Sequence, residues 1–384
     1  VKAALPEFLM EDWLEKHRFS ARFNAGESGH HAQTLDSLLS GLQPDFNFSL
    51  RNALMQVELC DAPNLGVEAL RAAVAAMHPG ATPENVLITT GTSEALVLLL
   101  RQLRPRKIAL IVPAFQLLLE IPRSLDAEVI PLPVHWDEMG RPAAALKTWV
   151  DKIIRERPDV LLINHPHNPS GLVFTPAELA VLYEAAEQTK CTVIGDEHYR
   201  FLAQPSGELG PTVFAAGRFV TGSFIKCAGT PGLRVGWCVG DSKVLQAMQS
   251  EKNYLTHTVN PIAQTLALWF LQSYFSGNSF FAALHREWLD NRAALTHWLK
   301  QEHNWIGCPP QGGLVTCLFP RSPRTSSEEF THLRNKGIFL LPLSTFSDST
   351  FQDSRWCKGF RLGLGLRPHD FEAMLTVMVP NNLR

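Results

Sequence analysis

Lys226 stands three residues beyond the end of the apolar run Phe219–Ser223. An amine held against apolar surroundings is disfavoured in its charged form and becomes a candidate Schiff-base nucleophile. Asp196 closes the apolar run Thr192–Asp196, where a carboxylate requires a cationic or hydrogen-bond-donating partner. Thr90-Gly91-Thr92-Ser93 follows Val86–Thr89 and opens a helical pattern. The free amides of such a first turn favour an anion, and Thr92 and Ser93 add hydroxyl donors; the same residues also suit an ordinary N-capped helix. Phe115 falls just past Lys107–Val112 and is suited to stacking on a flat ring or to packing in a core. In His165-Pro166-His167-Asn168-Pro169-Ser170-Gly171, two prolines and a glycine make a stiff loop that presents Asn168. Tyr199 lies three residues after Asp196, and Arg234 eight residues after Lys226. Arg361 sits inside the short apolar run Phe360–Gly363, where its planar fork suits a carboxylate. Singly, each charged residue is equally explained as a salt-bridged or snorkelling side chain. Together they match one flat ring, one phosphate and one α-carboxylate. That combination describes pyridoxal phosphate carrying an amino acid.

Two rival chemistries fit less well. His165 and His167 have no HExxH companion and no carboxylate in register, so no metal is expected. Ser223-Phe224-Ile225-Lys226 is also an S-x-x-K, but that hydrolase signature needs S-D-N and K-T-G partners. The chain offers Ser347-Asp348-Ser349 and no K-T-G. Seven cysteines, an odd number without a C-x-x-C, read as buried free thiols in a reducing, cytoplasmic setting.

The elements that must position these residues follow from the pattern around them. Seven strands are expected at Val86–Thr89, Lys107–Val112, Glu128–Leu132, Asp159–Asn164, Thr192–Asp196, Phe219–Ser223 and Val235–Val239. Helical patterns at Ser93–Gln102, Ala143–Glu156 and Pro176–Thr189 lie between them. This alternation predicts an α/β fold with a mainly parallel sheet covered on both faces, and ligands at the carboxyl ends of its strands. Glu251–Lys300 reads as a long helical region interrupted by Pro261; short strands follow near Leu314–Leu318, Ile338–Leu341 and Phe360–Gly363. The division expected is an N-terminal arm over 1–45, a large ligand-binding domain over 46–275 and a small α+β domain over 276–384. The 384 residues are 45% apolar and 19% charged, enough for a large core. Lys and Arg number 35 against 37 Asp and Glu, so no basic excess exists for nucleic acid. No apolar run reaches the ~18–20 residues of a membrane span, and no signal peptide is expected from Val1-Lys2-Ala3.

Ser223-x-x-Lys226, Gly232-Leu233-Arg234-Val235-Gly236, Asn168-Pro169-Ser170-Gly171 and Asp196-x-x-Tyr199 resemble, in order and spacing, the fold-type-I pyridoxal-phosphate enzymes of the aspartate aminotransferase superfamily. The resemblance extends over roughly residues 55–380. It implies that Lys226 is the cofactor lysine and proton shuttle, and that Asp196 pairs with the pyridinium nitrogen. Asn168 and Tyr199 are implied as donors to the ring oxygen, and Phe115 as the stacking ring. Gly91, Thr92, Ser93, Ser223 and Arg234 are implied around the phosphate. Arg361 is implied, with Asn168, at the substrate α-carboxylate. A homodimer with shared active sites and a small amino-acid substrate are implied as well.

The chain also departs from that family. Many members carry a tyrosine five residues before the glycine of Gly-x-x-x-Leu-Arg, and it reaches the neighbouring subunit's phosphate. Here the glycine is Gly66 and the residue is Asp61. A phosphate repels a carboxylate, so Asp61 is either a solvated loop residue or a partner for a cationic side chain. Leu9–Leu14, Gly26-Glu27-Ser28-Gly29-His30-His31 and Asp61–Gly66 resemble the small group of hydroxyarginine cyclases that includes capreomycidine synthase and enduracididine-forming enzymes. That resemblance implies loss of water from a hydroxy-L-arginine and ring closure by a guanidine nitrogen, at Cγ for a five-membered ring or at Cβ for a six-membered one. Asp61, Glu11 or Glu27 would orient the guanidinium, beside Ser28 and Gly29. His30 or His31 would assist departure of the hydroxyl as a general acid. The alternative is an aminotransferase or oxidase acting on arginine or another amino acid.

Overall fold

A computed structural model describes residues 5–277, 279–302, 304–346 and 358–379. Cys357 and the Ser347-Asp348-Ser349 segment lie outside the described residues. The central sheet has seven strands: β1 (Val86–Thr89), β2 (Lys107–Val112), β3 (Glu128–Pro133), β4 (Val160–Asn164), β5 (Thr192–Asp196), β6 (Phe219–Gly222) and β7 (Gly236–Val239). Their order is β1-β7-β6-β5-β4-β2-β3. Only β7 runs against its neighbours β1 and β6; the other pairs are parallel. The mainly parallel α/β sheet read from the pattern is therefore present.

Side-chain alternation splits the core in two. Ile108, Leu110, Val160 and Leu162 pack on one face of the sheet, and Ala109, Ile111, Leu161 and Ile163 on the other. Both faces are covered, which is why these strands read as unbroken apolar runs rather than alternating ones. The helix Gly91–Leu103 springs directly from β1, and Pro176–Thr189 opens with a Thr175/Glu178 capping box and Pro176 in its first turn. Pro261 does not interrupt a helix. It starts one, Pro261–Phe275, capped by the Asn260 side chain, between the helices Ser242–Lys252 and Ser279–Gln301. The long region expected from periodicity is thus three helices, because proline at a first turn forfeits no hydrogen bond. The helix Gln116–Ser124 was not expected from the pattern. Pro122 lies inside it, and its apolar residues are buried on one side only.

A second, four-stranded antiparallel sheet follows: β8 (Trp305–Gly307), β9 (Val315–Pro320), β10 (Leu341–Pro342) and β11 (Phe360–Gly363), in the order β8-β9-β11-β10. The N-terminal arm packs beside it. Helix Leu9–His17 leads to Phe23–Asn24, which pairs in parallel with Ile338–Phe339. The arm then crosses back: His30 N–H donates to the Lys226 carbonyl at 2.9 Å and His31 N–H to that of Gly365 at 2.6 Å. Among the described residues, no helix is long and apolar enough to cross a membrane.

Candidate active site

The carboxyl ends of β1, β4, β5 and β6, the arm and β11 enclose a cavity of about 530 Å³. Thr92, Ser93, Phe115, Asn168, Asp196, Ser223, Lys226, Arg234 and Arg361 line it, with Glu11, Glu27, Ser28, Gly29, His30 and His31 from the arm. The floor is Asp196, 4% exposed. Its Oδ2 accepts from Asn164 Nδ2 at 2.9 Å and lies 3.2 Å from His198 Nδ1, while Oδ1 accepts from Thr221 Oγ1 at 3.2 Å. Both oxygens of this buried carboxylate are thus engaged, as a buried polar group requires.

Lys226 Nζ donates to Ser28 Oγ at 2.9 Å and lies 5.8 Å from the Phe115 ring and 5.9 Å from the Tyr199 ring. Burial and then the Arg361 guanidinium push its pKa down to about 8, against the opposing pull of Asp196, Glu11 and Glu27. Tyr199 is fully buried and its hydroxyl donates to the Ser28 carbonyl; burial holds the phenol well above its ordinary pKa. Ser223 Oγ accepts from Ile225 N–H at 3.3 Å rather than from the lysine, so the S-x-x-K hydrolase pairing does not form. Asn168 N–H donates to Asn164 Oδ1 at 2.7 Å, and Asn168 Oδ1 accepts from Arg361 Nη1 at 3.2 Å. Arg361 is 2% exposed; it also donates from Nη2 to the Gly26 carbonyl, and its Nε has no partner.

The opposite end of the cavity is built for an anion. Gly91 takes φ +78° and begins the helix that carries Thr92 and Ser93. A Cβ on Gly91 would come within 2.7 Å of Arg234 Nη2, so the guanidinium lies against the helix N-terminus. Helix dipole, free amides and guanidinium then act on one point. Gly236 of β7 packs on the backbone of this turn; a Cβ there would lie 2.5 Å from the Gly91 carbonyl carbon and 2.6 Å from the Thr92 nitrogen. Gly236→Ala is therefore expected to displace the turn, destabilising the fold by about 1–3 kcal/mol and weakening a phosphate-bearing ligand about tenfold. Equilibrium titration with a melting curve checks this; unchanged affinity at unchanged stability would place the phosphate elsewhere.

The arm's histidines differ. His30 is 4% exposed with neither ring nitrogen partnered, and burial followed by repulsion from His31 lowers its pKa to about 3. It is a neutral imidazole and a weak base near neutrality, with no protonated form there to serve as the general acid expected from the sequence. His31 Nε2 lies 2.9 Å from Glu287 Oε2. His165 and His167 are packing residues: His167 Nδ1 meets Ser170 Oγ at 2.7 Å, and burial lowers their pKa values to about 4 and about 3. Among the described residues, no group of three or more His, Cys, Asp or Glu is placed to hold a metal.

One expected residue is not brought in. Asp61 is exposed, accepts from Thr258 Oγ1 at 3.4 Å and does not line the cavity of its own chain. Sequence reasoning missed Asn164, Thr221 and His198, which hold Asp196, and Arg18, which lines the arm side of the cavity. Asn164 was signalled by a polar residue closing an otherwise apolar strand. His198 was signalled by its place two residues after Asp196.

Known proteins share this arrangement of elements. Residues 59–357 match the family model of aminotransferase class I and II. Capreomycidine synthase of Streptomyces vinaceus is 29% identical over 360 residues, covering 90% of this chain and 88% of that protein. A PLP-dependent aminotransferase from Streptococcus suis superposes with a TM-score of 0.85 at 23% identity, covering 98% of this chain and 97% of the other. The PLP-dependent cyclase OrfR superposes with a TM-score of 0.82, also at 23% identity and with the same coverage.

Proposed function

The chain belongs to the aminotransferase class I and II family, with pyridoxal phosphate as its cofactor, and we propose that it is a cyclase acting on a hydroxy-L-arginine. The product of that reaction is a cyclic guanidino amino acid, formed by loss of water and ring closure. The observation that carries this reading is the charge layout of the cavity. One buried cation, Arg361, is available for an α-carboxylate, and two carboxylates from the arm, Glu11 and Glu27, stand on the same cavity wall. An amino acid with a cationic side chain satisfies both, and guanidinium pairs with carboxylates through a planar fork. The likeness to capreomycidine synthase over 90% of the chain supports the same substrate class.

The cofactor fits the residues present. Asp196 supplies a buried, hydrogen-bonded carboxylate for a pyridinium nitrogen, and Phe115 an aromatic face. Thr92, Ser93, Ser223 and Arg234 surround the anion site that Gly91 keeps open. Asn168 and Tyr199 are the donors assigned to the ring oxygen. About 530 Å³ accommodates the cofactor together with an amino acid. When bound, pyridoxal phosphate acts as an electron sink for the substrate α-carbon.

The protein's own groups then divide the work. Arg361 fixes the carboxylate, and Glu11 and Glu27 fix the guanidinium, so the side chain is held at both ends. Lys226, with a depressed pKa, takes the Cα proton and returns it after ring closure. The side-chain hydroxyl leaves as water, with His31, paired to Glu287, as the proton donor; for a γ-hydroxyl a Cβ proton is removed as well and returned after closure. A guanidine nitrogen adds to the unsaturated carbon and gives up its proton to His31. A second copy of the chain belongs to this reading, because Leu59 beside Asp61 and Tyr254 near its partner Thr258 are 82% and 90% exposed. Such a surface would carry Asp61 toward a neighbouring site.

The test is incubation of the holo-protein with β- and γ-hydroxyarginine and no keto acid. The expected product has lost one water and kept its amino group. Amino transfer to 2-oxoglutarate without a dehydrated product would support the transaminase instead, and uptake of dioxygen the oxidase.

A further inference from the structure

Arg18 follows helix Leu9–His17 and projects into the cavity between the two carboxylates just assigned to the substrate. Its Nη2 donates to Glu11 Oε2 at 3.3 Å, and its Nε lies 3.4 Å from Glu27 Oε1. The second contact is an ion pair only, since Arg18 Nε makes no hydrogen bond. The Arg18 side chain is 28% exposed, and those of Glu11 and Glu27 are 52% and 40% exposed. Ion pairs this accessible are weak and exchange readily. The chain thus presents one of its own guanidinium groups, loosely held, where the proposed substrate places its own.

We propose that Arg18 is a specificity-determining residue that occupies the carboxylate pair until a substrate guanidinium displaces it. This rests on the guanidinium reading given above. Arg18 keeps Glu11 and Glu27 from facing each other as uncompensated anions near Lys226 and Arg361, both of which sense these carboxylates. It also sets a threshold. A ligand must replace the pairing it breaks, so a neutral side chain gains nothing at this wall, whereas a guanidinium restores a cation between the two carboxylates. The cost is self-competition, which lowers apparent affinity by the fraction of time the pair is occupied.

The experiment is calorimetric binding of L-arginine and its neutral isostere L-citrulline to the holo-protein and to Arg18→Gln, Glu11→Gln and Glu27→Gln. Arg18→Gln is expected to bind arginine about 3- to 10-fold more tightly, with citrulline changed less than about twofold. Glu11→Gln and Glu27→Gln are expected to weaken arginine about tenfold while leaving citrulline unaffected. If arginine binds Arg18→Gln equally or more weakly while the glutamate variants still lose it, Arg18 is no placeholder and the guanidinium site stands. If the glutamate variants bind arginine unchanged, the substrate reading itself fails.

Discussion

Lys226→Ala lowers product formation by about 10⁴-fold or more, and borohydride no longer fixes the cofactor to the chain. The size of the effect follows from how the amine is held. Its backbone carbonyl is pinned by the His30 N–H, and Gly29 packs on its Cα, where a Cβ would meet it at 3.5 Å. The backbone beneath the amine is therefore fixed, and Nζ itself is held by Ser28 Oγ, before any ligand binds. Burial and Arg361 together hold the pKa at about 8, while Asp196, Glu11 and Glu27 prevent it from falling further. At about pH 7.5 roughly a quarter of such amines are neutral, against about one in a thousand for an ordinary lysine. Uptake of the cofactor by the apo-protein should therefore climb with pH and level off above about pH 8–9, whereas an unshifted lysine would keep climbing. Lys226→Arg keeps the charge but cannot deliver a neutral nitrogen, and is expected to be as inactive as alanine. Mass spectrometry after borohydride reduction gives the decisive reading. A cofactor-sized increment on Lys226→Ala would show that another amine carries the attachment.

The seven-stranded sheet could be read from the chain because most of its strands are buried on both faces, and β4 and β5 end in Asn164 and Asp196, polar residues at odds with their apolar runs. Lys107–Val112, Thr192–Asp196 and Phe360–Gly363 fall where the pattern placed them. Pro261 misled because proline at a helix start and proline inside a helix look alike without the flanking cap, and Asn260 is that cap. The cavity floor was legible through Asp196 and Lys226, whose chemistry conflicts with an apolar neighbourhood. Its supports were not, since Thr221 becomes a ligand of Asp196 only through the pairing of β5 with β6. Asp61 shows the converse limit. A spacing argument places it at the site, but within one chain it faces Thr258 and solvent, and only a second copy could bring it to a cavity. Arg18 carried no signal at all, because its role depends on the arm folding back so that Glu11 and Glu27 meet it from two segments.

Arg361 supports the second large prediction. It lies in the central strand pair of the small sheet, opposite Cys317 of β9, and its guanidinium is oriented before a substrate arrives by Gly26 and Asn168. The Phe346 ring stands 5.2 Å from its central carbon, and Nε remains without a partner. Burial pulls its pKa down from the ordinary arginine value, but a guanidinium stays charged near neutrality. A buried cation whose donors are only partly used gains most from a carboxylate, and removing it leaves that carboxylate desolvated and unpaired. Arg361→Ala should therefore weaken a free amino acid by about 10²–10³-fold. It also opens a cavity and strips donors from the Gly26 carbonyl and Asn168 Oδ1, a loss of about 2–4 kcal/mol in stability. Arg361→Lys avoids most of that disturbance, retains the charge and loses the fork, so about tenfold weaker binding is expected. The discriminating measurement is the affinity ratio between L-arginine and L-argininamide, which differ only at the carboxylate. Wild type should prefer the acid by about 10²-fold, and Arg361→Ala should bind the two nearly alike, with the cofactor absorbance unchanged in both proteins. A ratio that survives the substitution would mean that another donor holds the carboxylate. Arg361 would then serve only to tie the arm to the small sheet through Gly26.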